Sequence, residues 1–370
     1  MAKARAAFER RSYDSAIAFC KEALSLVDKE MTGQSALRLR ADILLLLAEV
    51  NDVTGQWVDS LLYLDGVTQI STGLNDAKLG VETLIQAGNI ISKKGKWEDA
   101  LKKFEKAEIL SQKQGIHRLL GRALIGKGTI LWRQGEYSDA IREAERAAKT
   151  GASLGDSQMV GGAEALIASV RYDEGNYAAS IAANGRALEA FEKANDAYQM
   201  ARVLNNVGET YKMMGDYKKA IETLERGLKI AQDSDHKRNQ GYALMNIAEC
   251  RARLGEGAEA RTVALKADAI FSILEDKYAH ANMAMVWGMI HALKGDLGNS
   301  TSSFERCLGL MIEMKIPYDT GVAFFEYAIS VKKFGETEKA KALLQKSIRS
   351  LNVAGAKIMR AKAEKELAAI

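Results

Sequence analysis

Apolar residues in this chain recur at helical spacing, in pairs of segments joined by a short turn. On residues 202–214, the apolar side chains share one helical face: Val203, Leu204, Val207 and Tyr211. A second apolar face follows on residues 220–230, after the turn Gly215-Asp216-Tyr217. Glycine favours the left-handed conformation that ends a helix, and an aspartate can cap the next helix. The pattern therefore predicts a helical hairpin.

This hairpin recurs with a fixed 40-residue period. The turn glycine appears eight times without a slip, at Gly55, Gly95, Gly135, Gly175, Gly215, Gly255, Gly295 and Gly335. Five residues after each glycine and seven residues before it, every residue is Ala, Gly or Ser. Small residues allow two helix backbones to approach closely, because packed interiors leave no room for added atoms. Aspartates that can start helices recur between hairpins, at Asp76, Asp156, Asp196 and Asp276.

The turn sequences GKWEDA, GEYSDA and GDYKKA, with a small residue seven positions before each glycine, resemble the tetratricopeptide repeat. The standard unit of that family is shorter, at about 34 residues. The period of 40 is similar to the extended repeats of spindle-orientation scaffolds, kinesin light chains and Rap-type bacterial regulators. The resemblance covers nearly the whole chain, and it implies a right-handed α-solenoid, or superhelix.

The predicted fold is all-α, with about nine tetratricopeptide-like hairpins and a C-terminal capping helix in one domain over residues 1–370. The first hairpin, about residues 1–30, is degenerate, because Arg11 stands where its turn glycine is expected. The 40-residue repeats extend over about residues 36–352. Residues 356–370 can form the capping helix, with Ile358, Met359, Ala363 and Leu367 inward and charged residues outward.

Composition narrows the classes of partner and compartment. The 52 Lys and Arg residues exceed the 48 Asp and Glu by only four, too few for the electrostatic footprint of a nucleic-acid-binding protein. Three scattered cysteines, a charged N-terminus and the lack of an apolar run of ~20 residues predict a cytoplasmic protein without a membrane partner. A single proline, Pro317, is compatible with long helices throughout.

Two short motifs resemble catalytic signatures. GRALIGKG places Lys127 as in a phosphate-binding loop, but Gly128 replaces the required Ser or Thr and no strand precedes it. GASLG, centred on Ser153, matches a nucleophile elbow but lies in a link between helices. No two of the four histidines are four residues apart on a helix. We therefore expect no enzymatic activity, no cofactor and no metal site.

The resemblance implies that ligands contact the first helix of each hairpin on a concave groove, 13, 10, 6 and 3 residues before the turn glycine. Together with Arg133, this register predicts the following partner-binding residues: Arg122, Thr129, Trp132, Arg133, Tyr172, Arg202, Asn205, Glu209, Lys212, Tyr242, Met245 and Glu249. Arginine and aromatic residues are common at binding hot spots. A non-catalytic scaffold that binds a protein or peptide with acidic residues is the predicted function.

Two alternatives stay open at this point. An apolar set near the C-terminus could anchor a ligand or mediate self-association: Met285, Met289, Phe325 and Ile329. The chain would then be a self-assembling structural module, a homo-oligomer. The other alternative is the sensor part of a regulator that binds a peptide or metabolite. The groove would suit an extended or a helical peptide.

Overall fold

A computed structural model describes residues 1–10, 12–274 and 276–370, and every regular element in these residues is an α-helix. The chain divides into two compact units, unit 1 (Met1–Val170) and unit 2 (Arg171–Ile370), with the boundary inside the helix Ser157–Asp173. Arg11, the predicted substitute for a turn glycine, lies outside the described residues. The expectation of a single domain over the whole chain stays a prediction.

Nineteen helices follow one another within the described ranges. Helices up to the unit boundary are α1 (Ala2–Glu9), α2 (Tyr13–Glu30), α3 (Gly33–Val53), α4 (Trp57–Gly73), α5 (Ala77–Lys93), α6 (Trp97–Gln114), α7 (His117–Gln134), α8 (Tyr137–Leu154) and α9 (Ser157–Asp173). Those beyond it are α10 (Tyr177–Lys193), α11 (Ala197–Met214), α12 (Tyr217–Asp233), α13 (Lys237–Arg253), α14 (Gly257–Leu274), α15 (Lys277–Leu293), α16 (Leu297–Glu313), α17 (Pro317–Lys332), α18 (Thr337–Val353) and α19 (Lys357–Ala368).

The order of the helices confirms nine consecutive pairs followed by a capping helix, the all-α solenoid class. Each of the eight predicted turn glycines has a positive φ, for example +80° at Gly215. Asp216 then caps α12, because its side chain accepts a hydrogen bond from the Lys219 amide at 3.2 Å. The four aspartates of the links, from Asp76 to Asp276, accept the same kind of bond.

The links between hairpins contain a second left-handed column that the sequence analysis did not identify. The positive φ falls on glycine at Gly115, Gly155 and Gly355, but on other residues at Asn75, Asn195, Asp235 and Lys315. Asn and Asp tolerate this conformation better than most residues. Because glycine occupies only some positions of this column, a search for regularly spaced glycines does not find its 40-residue spacing.

The two columns of small residues meet inside the hairpins. Ser300 Oγ donates to the Gly288 carbonyl at 2.8 Å, and Ser60 Oγ donates to the Ala48 carbonyl at 2.7 Å. A Cβ atom placed on Gly288 would lie 2.7 Å from the Phe304 ring. The small columns therefore mark the crossing of the two helices in a pair, as predicted.

In unit 2 the first helices of successive hairpins contact one another, from α11 to α13, α15 and α17. We call the surface that these four helices present the inner surface of unit 2. A Cβ atom on Gly175, after α9, would lie 2.5 Å from Ile358 Cδ1 in α19. An ion pair from Arg253 to Glu326 also joins α13 to α17, past α15. Unit 2 is therefore strongly curved.

Candidate functional site

A small polar cavity opens on the inner surface of unit 2, between α11 and α13. Its volume is about 160 Å³, below the ~300 Å³ that small-molecule pockets usually exceed. The cavity is lined by Tyr198, Arg202, Asn205, Asn206, Arg238, Asn239 and Tyr242. We call it the Arg202 cavity. Its size suits one side chain or chain terminus of a ligand.

Arg202 is the cation of this cavity that has no carboxylate partner among the described residues. Its Nη1 donates to Gln199 Oε1 at 2.8 Å, and its guanidinium lies 5.8 Å from the centre of the Tyr198 ring. Arg238, by contrast, pairs with Asp276 at 2.8 Å. The remaining N–H groups of Arg202 are available to an anion, because a guanidinium carries five donors.

Asparagine amides complete the cavity wall. Asn239 Nδ2 donates to the Tyr198 carbonyl at 3.0 Å, which holds its side chain between α11 and α13. The Asn206 side chain makes no hydrogen bond to any described residue. An amide can donate and accept at once, so it can pair with a peptide backbone. The cavity thus combines a cation that can bind an anion with amides that can pair with a peptide backbone.

Deeper on the inner surface lies a set of four charged side chains, Lys212, Glu249, Arg253 and Glu326, which we call the buried ion network. Lys212 Nζ lies 2.7 Å from Glu249 Oε2, and Arg253 Nη2 lies 2.7 Å from Glu249 Oε1. Arg253 Nη1 lies 3.0 Å from Glu326 Oε1. Glu249 is only 5% exposed. Each charge in the network is met by an opposite charge.

The electrostatics of this network favour the charged forms. Burial by itself raises the pKa of Glu249, but the adjacent Lys212 and Arg253 lower it to about 2. Burial likewise opposes the charge of Lys212, yet Glu249 and Glu209 hold the pKa of Lys212 above its ordinary value. Glu249, Lys212 and Arg253 are therefore charged at neutral pH and paired with one another.

In unit 1, the predicted groove residues of helix α7 have different surroundings from those at the same repeat positions in unit 2. Arg122 and Arg133 are both exposed, and neither has a carboxylate partner within the part of the chain that the structure describes. The Arg133 guanidinium lies 5.7 Å from the centre of the Trp132 ring. The Thr129 hydroxyl donates to the Ile125 carbonyl at 2.8 Å. The α7 face keeps two arginines accessible.

The predicted groove residues separate into exposed and buried groups. Arg202, Asn205 and Tyr242 line the Arg202 cavity. Glu209 is partly buried on α11, and Tyr172 is partly buried at the end of α9, where its ring lies against Tyr177. Met245 and Glu249 are buried, Met245 in the hydrophobic core of unit 2 and Glu249 in the buried ion network.

The apolar set near the C-terminus lies in the core of unit 2. Met285, Met289 and Phe325 are buried, and Ile329 packs against them. They form no exposed patch for an anchor or a second copy, because α15 and α17 are covered by neighbouring helices. The hydrophobic type of a residue does not reveal which face of a helix points inward.

Four cavity residues were missed by the register of 13, 10, 6 and 3: Tyr198, Asn206, Arg238 and Asn239. Two of them, Tyr198 and Arg238, occupy a repeat position that can be recognised in the sequence. The second residue of each first helix in unit 2 is Tyr198, Arg238, Tyr278 or Tyr318, one in each repeat. These residue types are those of binding hot spots.

The motifs that resemble catalytic signatures have structural roles. Lys127 lies inside α7 and pairs with Glu108 at 3.0 Å and Glu143 at 3.1 Å. Ser153 lies in α8, where its hydroxyl donates to the Thr150 carbonyl. Within the described residues there is no group of three metal-binding side chains. No helix in those ranges is long and apolar enough to cross a membrane.

Comparison with known proteins supports the repeat assignment. Residues 87–155 and residues 163–233 each match a family model of the tetratricopeptide repeat. A search of curated protein sequences gives no match. Among similar solved structures is aspartyl phosphate phosphatase F from Bacillus subtilis, with a TM-score of 0.67 and 15% identity, covering 94% of this chain and 91% of that chain.

Two further structures have the same fold. The apo form of the quorum sensor NprR from B. thuringiensis has a TM-score of 0.66 and 14% identity, covering 94% of this chain and 96% of that one. The Rap conjugation gene regulator of plasmid pLS20, in complex with the Phr* peptide, has a TM-score of 0.63 and 12% identity, covering 91% and 94%. At such low identity the similarity establishes the fold alone.

Proposed function

We propose that this tetratricopeptide-repeat protein is a non-catalytic interaction scaffold, and that the inner surface of its unit 2 binds a peptide segment through an acidic group. The observation that carries the proposal is Arg202, a cation without a carboxylate partner among the described residues, in a cavity of about 160 Å³. The acidic group is a side-chain carboxylate or the carboxyl terminus of the peptide.

The chemistry of the cavity suits such a ligand. A guanidinium can bind a carboxylate through two parallel hydrogen bonds, which are stronger than bonds between neutral groups. The rings of Tyr198 and Tyr242 shield this contact from water and supply apolar area. Asn206 and Asn239 can bind the adjoining peptide backbone. A similar fold is known in complex with the Phr* peptide, which supports a peptide as the class of ligand.

Retention of peptides by the full chain tests this function. The probe is a library of pentapeptides in which each position is scanned with Asp and Glu against Asn and Gln, with free or amidated carboxyl termini. The wild-type chain is expected to retain acidic members about tenfold better, equivalent to about 1.4 kcal/mol. The variant Arg202→Gln is expected to lose this preference.

Arg226→Gln is the matched control, because Arg226 is an exposed arginine on α12 of the same unit. It removes the same charge and should retain acidic peptides as the wild type does. Retention that is equal in all three chains would contradict the proposed site, and so would a lack of retained peptides. Comparison of free with amidated peptides distinguishes the carboxyl terminus from acidic side chains.

A further inference from the structure

Two arginines line the Arg202 cavity, and only one of them is neutralised by the protein. Arg202 and Arg238 are the charged residues among the described side chains of the cavity wall. Arg202 has no carboxylate partner in the described part of the chain, whereas Arg238 Nη2 lies 2.8 Å from Asp276 Oδ2. The Asp276 side chain is only 10% exposed and lies behind the wall. This one carboxylate therefore sets how much positive charge the cavity offers to a ligand.

The two carboxylate oxygens of Asp276 have separate roles. Oδ1 caps α15, because it accepts a hydrogen bond from the Ala279 amide at 3.0 Å. Oδ2 bonds to two residues of the cavity wall, since it accepts from the Tyr242 hydroxyl at 3.0 Å and pairs with Arg238. A cap needs no charge, because the amide oxygen of Asn176 caps α10 in the same way. The charge of Asp276 thus serves Arg238 rather than the cap.

An equivalent ion pair lies in unit 1, at the same two repeat positions. Arg118 in α7 pairs with Asp156 at 2.7 Å, and the Asp156 side chain is also 10% exposed. Asp156 accepts from the Met159 amide at 3.1 Å, as Asp276 accepts from its own helix. Neither member of this pair lines the Arg202 cavity. The chain therefore contains a matched control for the charge of Asp276.

The net charge of the cavity favours one class of anion. A carboxylate carries one negative charge, whereas a phosphorylated side chain carries nearly two at neutral pH. Phosphorylated peptides are typically recognised by clusters of arginines. In this cavity Arg238 is already paired, so a phosphate would meet the one free guanidinium of Arg202 and the nearby negative charge of Asp276. A single carboxylate matches the free charge of Arg202.

We propose that Asp276 makes the Arg202 cavity selective for a singly charged carboxylate over a phosphorylated side chain. Asp276 does not touch the ligand and acts through Arg238, the second arginine of the wall. Without this carboxylate the wall would present two free guanidinium groups, which would suit a phosphate. The inference rests on the proposed function and specifies its ligand. The acidic group is a carboxylate and not a phosphoserine.

The test uses the full chain and a second pentapeptide library, in which each position is scanned with Glu against phosphoserine. The wild type is expected to retain phosphoserine peptides no better than Glu peptides. Asp276→Asn should raise the retention of phosphoserine relative to Glu by about tenfold, because Arg238 becomes free to donate to the phosphate. The new amide keeps an oxygen for the cap of α15 and can still bond to the Tyr242 hydroxyl.

Asp156→Asn is the matched control, because it releases Arg118 in unit 1, and it should leave the ratio unchanged. Asp276→Asn combined with Arg238→Gln tests the route, since the gain should disappear when residue 238 carries no charge. Damage to the start of α15 would lower the retention of all peptides and would not favour phosphoserine. If circular dichroism shows that Asp276→Asn fails to fold, Asp276→Ser decides the question, because serine also caps helices.

Three results would overturn the inference and leave the proposed function intact, provided that the acidic preference depends on Arg202. The first is a ratio of phosphoserine to Glu retention that is equal in the wild type and in Asp276→Asn, or in Asp276→Ser where Asp276→Asn is unfolded. The second is a wild type that already retains phosphoserine better than Glu. The third is a gain that persists without Arg238. A wild-type chain that retains no peptide would reject the proposed function, and the selectivity with it.

Discussion

Arg133 in unit 1 and Arg253 in unit 2 occupy the same repeat position, two residues before a turn glycine, but their surroundings differ. Arg133 is exposed and lies over the Trp132 ring. The Arg253 side chain is only 16% exposed and pairs with Glu249 and Glu326. The residue four positions earlier makes much of the difference, because it is Thr129 in α7 and Glu249 in α13. Repeat register predicts where a cation lies, whereas neighbouring side chains decide whether it is available to a ligand.

Removing the central carboxylate of the buried ion network should have the largest effect. Glu249→Gln leaves Lys212 and Arg253 without their shared anion, and breaking a buried pair costs about 3–5 kcal/mol. Urea unfolding followed by circular dichroism measures the loss. Glu192→Gln, an exposed residue of α10, should change the unfolding free energy by less than about 0.5 kcal/mol. Equal effects of the two variants would mean that the network does not stabilise unit 2.

Acid should weaken unit 2 through the same glutamate. The pKa of Glu249 is about 2 in the folded chain and ordinarily 4.5, so its contribution is complete above pH 4.5 and is lost as the pH falls toward 2. At about 1.36 kcal/mol per unit, the loss is at most about 3 kcal/mol. Unfolding free energies measured between pH 6 and pH 2 should fall less steeply in Glu249→Gln than in the wild type. Parallel curves would contradict this assignment.

The two arginines at the same register offer a direct comparison. Arg253→Gln should lower the unfolding free energy by about 2 kcal/mol, because it leaves two buried carboxylates with fewer partners. Arg133→Gln should change it by less than about 0.5 kcal/mol, as expected for an exposed charge. Urea midpoints at neutral pH measure both. Similar losses in the two variants would show that the difference in pairing has no energetic consequence.

The smallest predicted effect comes from copying the arrangement of α13 into α7. Thr129→Glu places a glutamate four residues before Arg133, as Glu249 is placed before Arg253. An exposed pair at this spacing stabilises a helix by about 0.2–0.5 kcal/mol. Thermal unfolding should therefore show a small increase or no change. A gain several times larger than this range would indicate that α7 is as poorly hydrated as α13.

The sequence predicted the parts of the fold that depend on local spacing. The turn at Gly215, the cap at Asp216 and the small column that contains Gly288 each follow from backbone conformation or close packing within one hairpin. The pairing of Arg253 with Glu326 did not follow, because it joins two distant repeats and depends on the curvature of unit 2.

The candidate site was predicted only in part for the same reason. Arg202 and Tyr242 lie where the register places them. The register alone could not show that Lys212 is neutralised by Glu249, because that contact depends on how α11 approaches α13. Nor could it show that Phe325 faces the core, since α17 has apolar residues on several faces.

The central claim is that a peptide binds on the inner surface of unit 2, at the Arg202 cavity. Hydrogen exchange of the full chain, measured with and without the best-retained acidic peptide, tests this claim most directly. We predict slower exchange in residues 198–212 of α11 and residues 238–253 of α13, with little change in α12 and α14. Protection confined to α12 and α14, with α11 and α13 unchanged, would contradict the account.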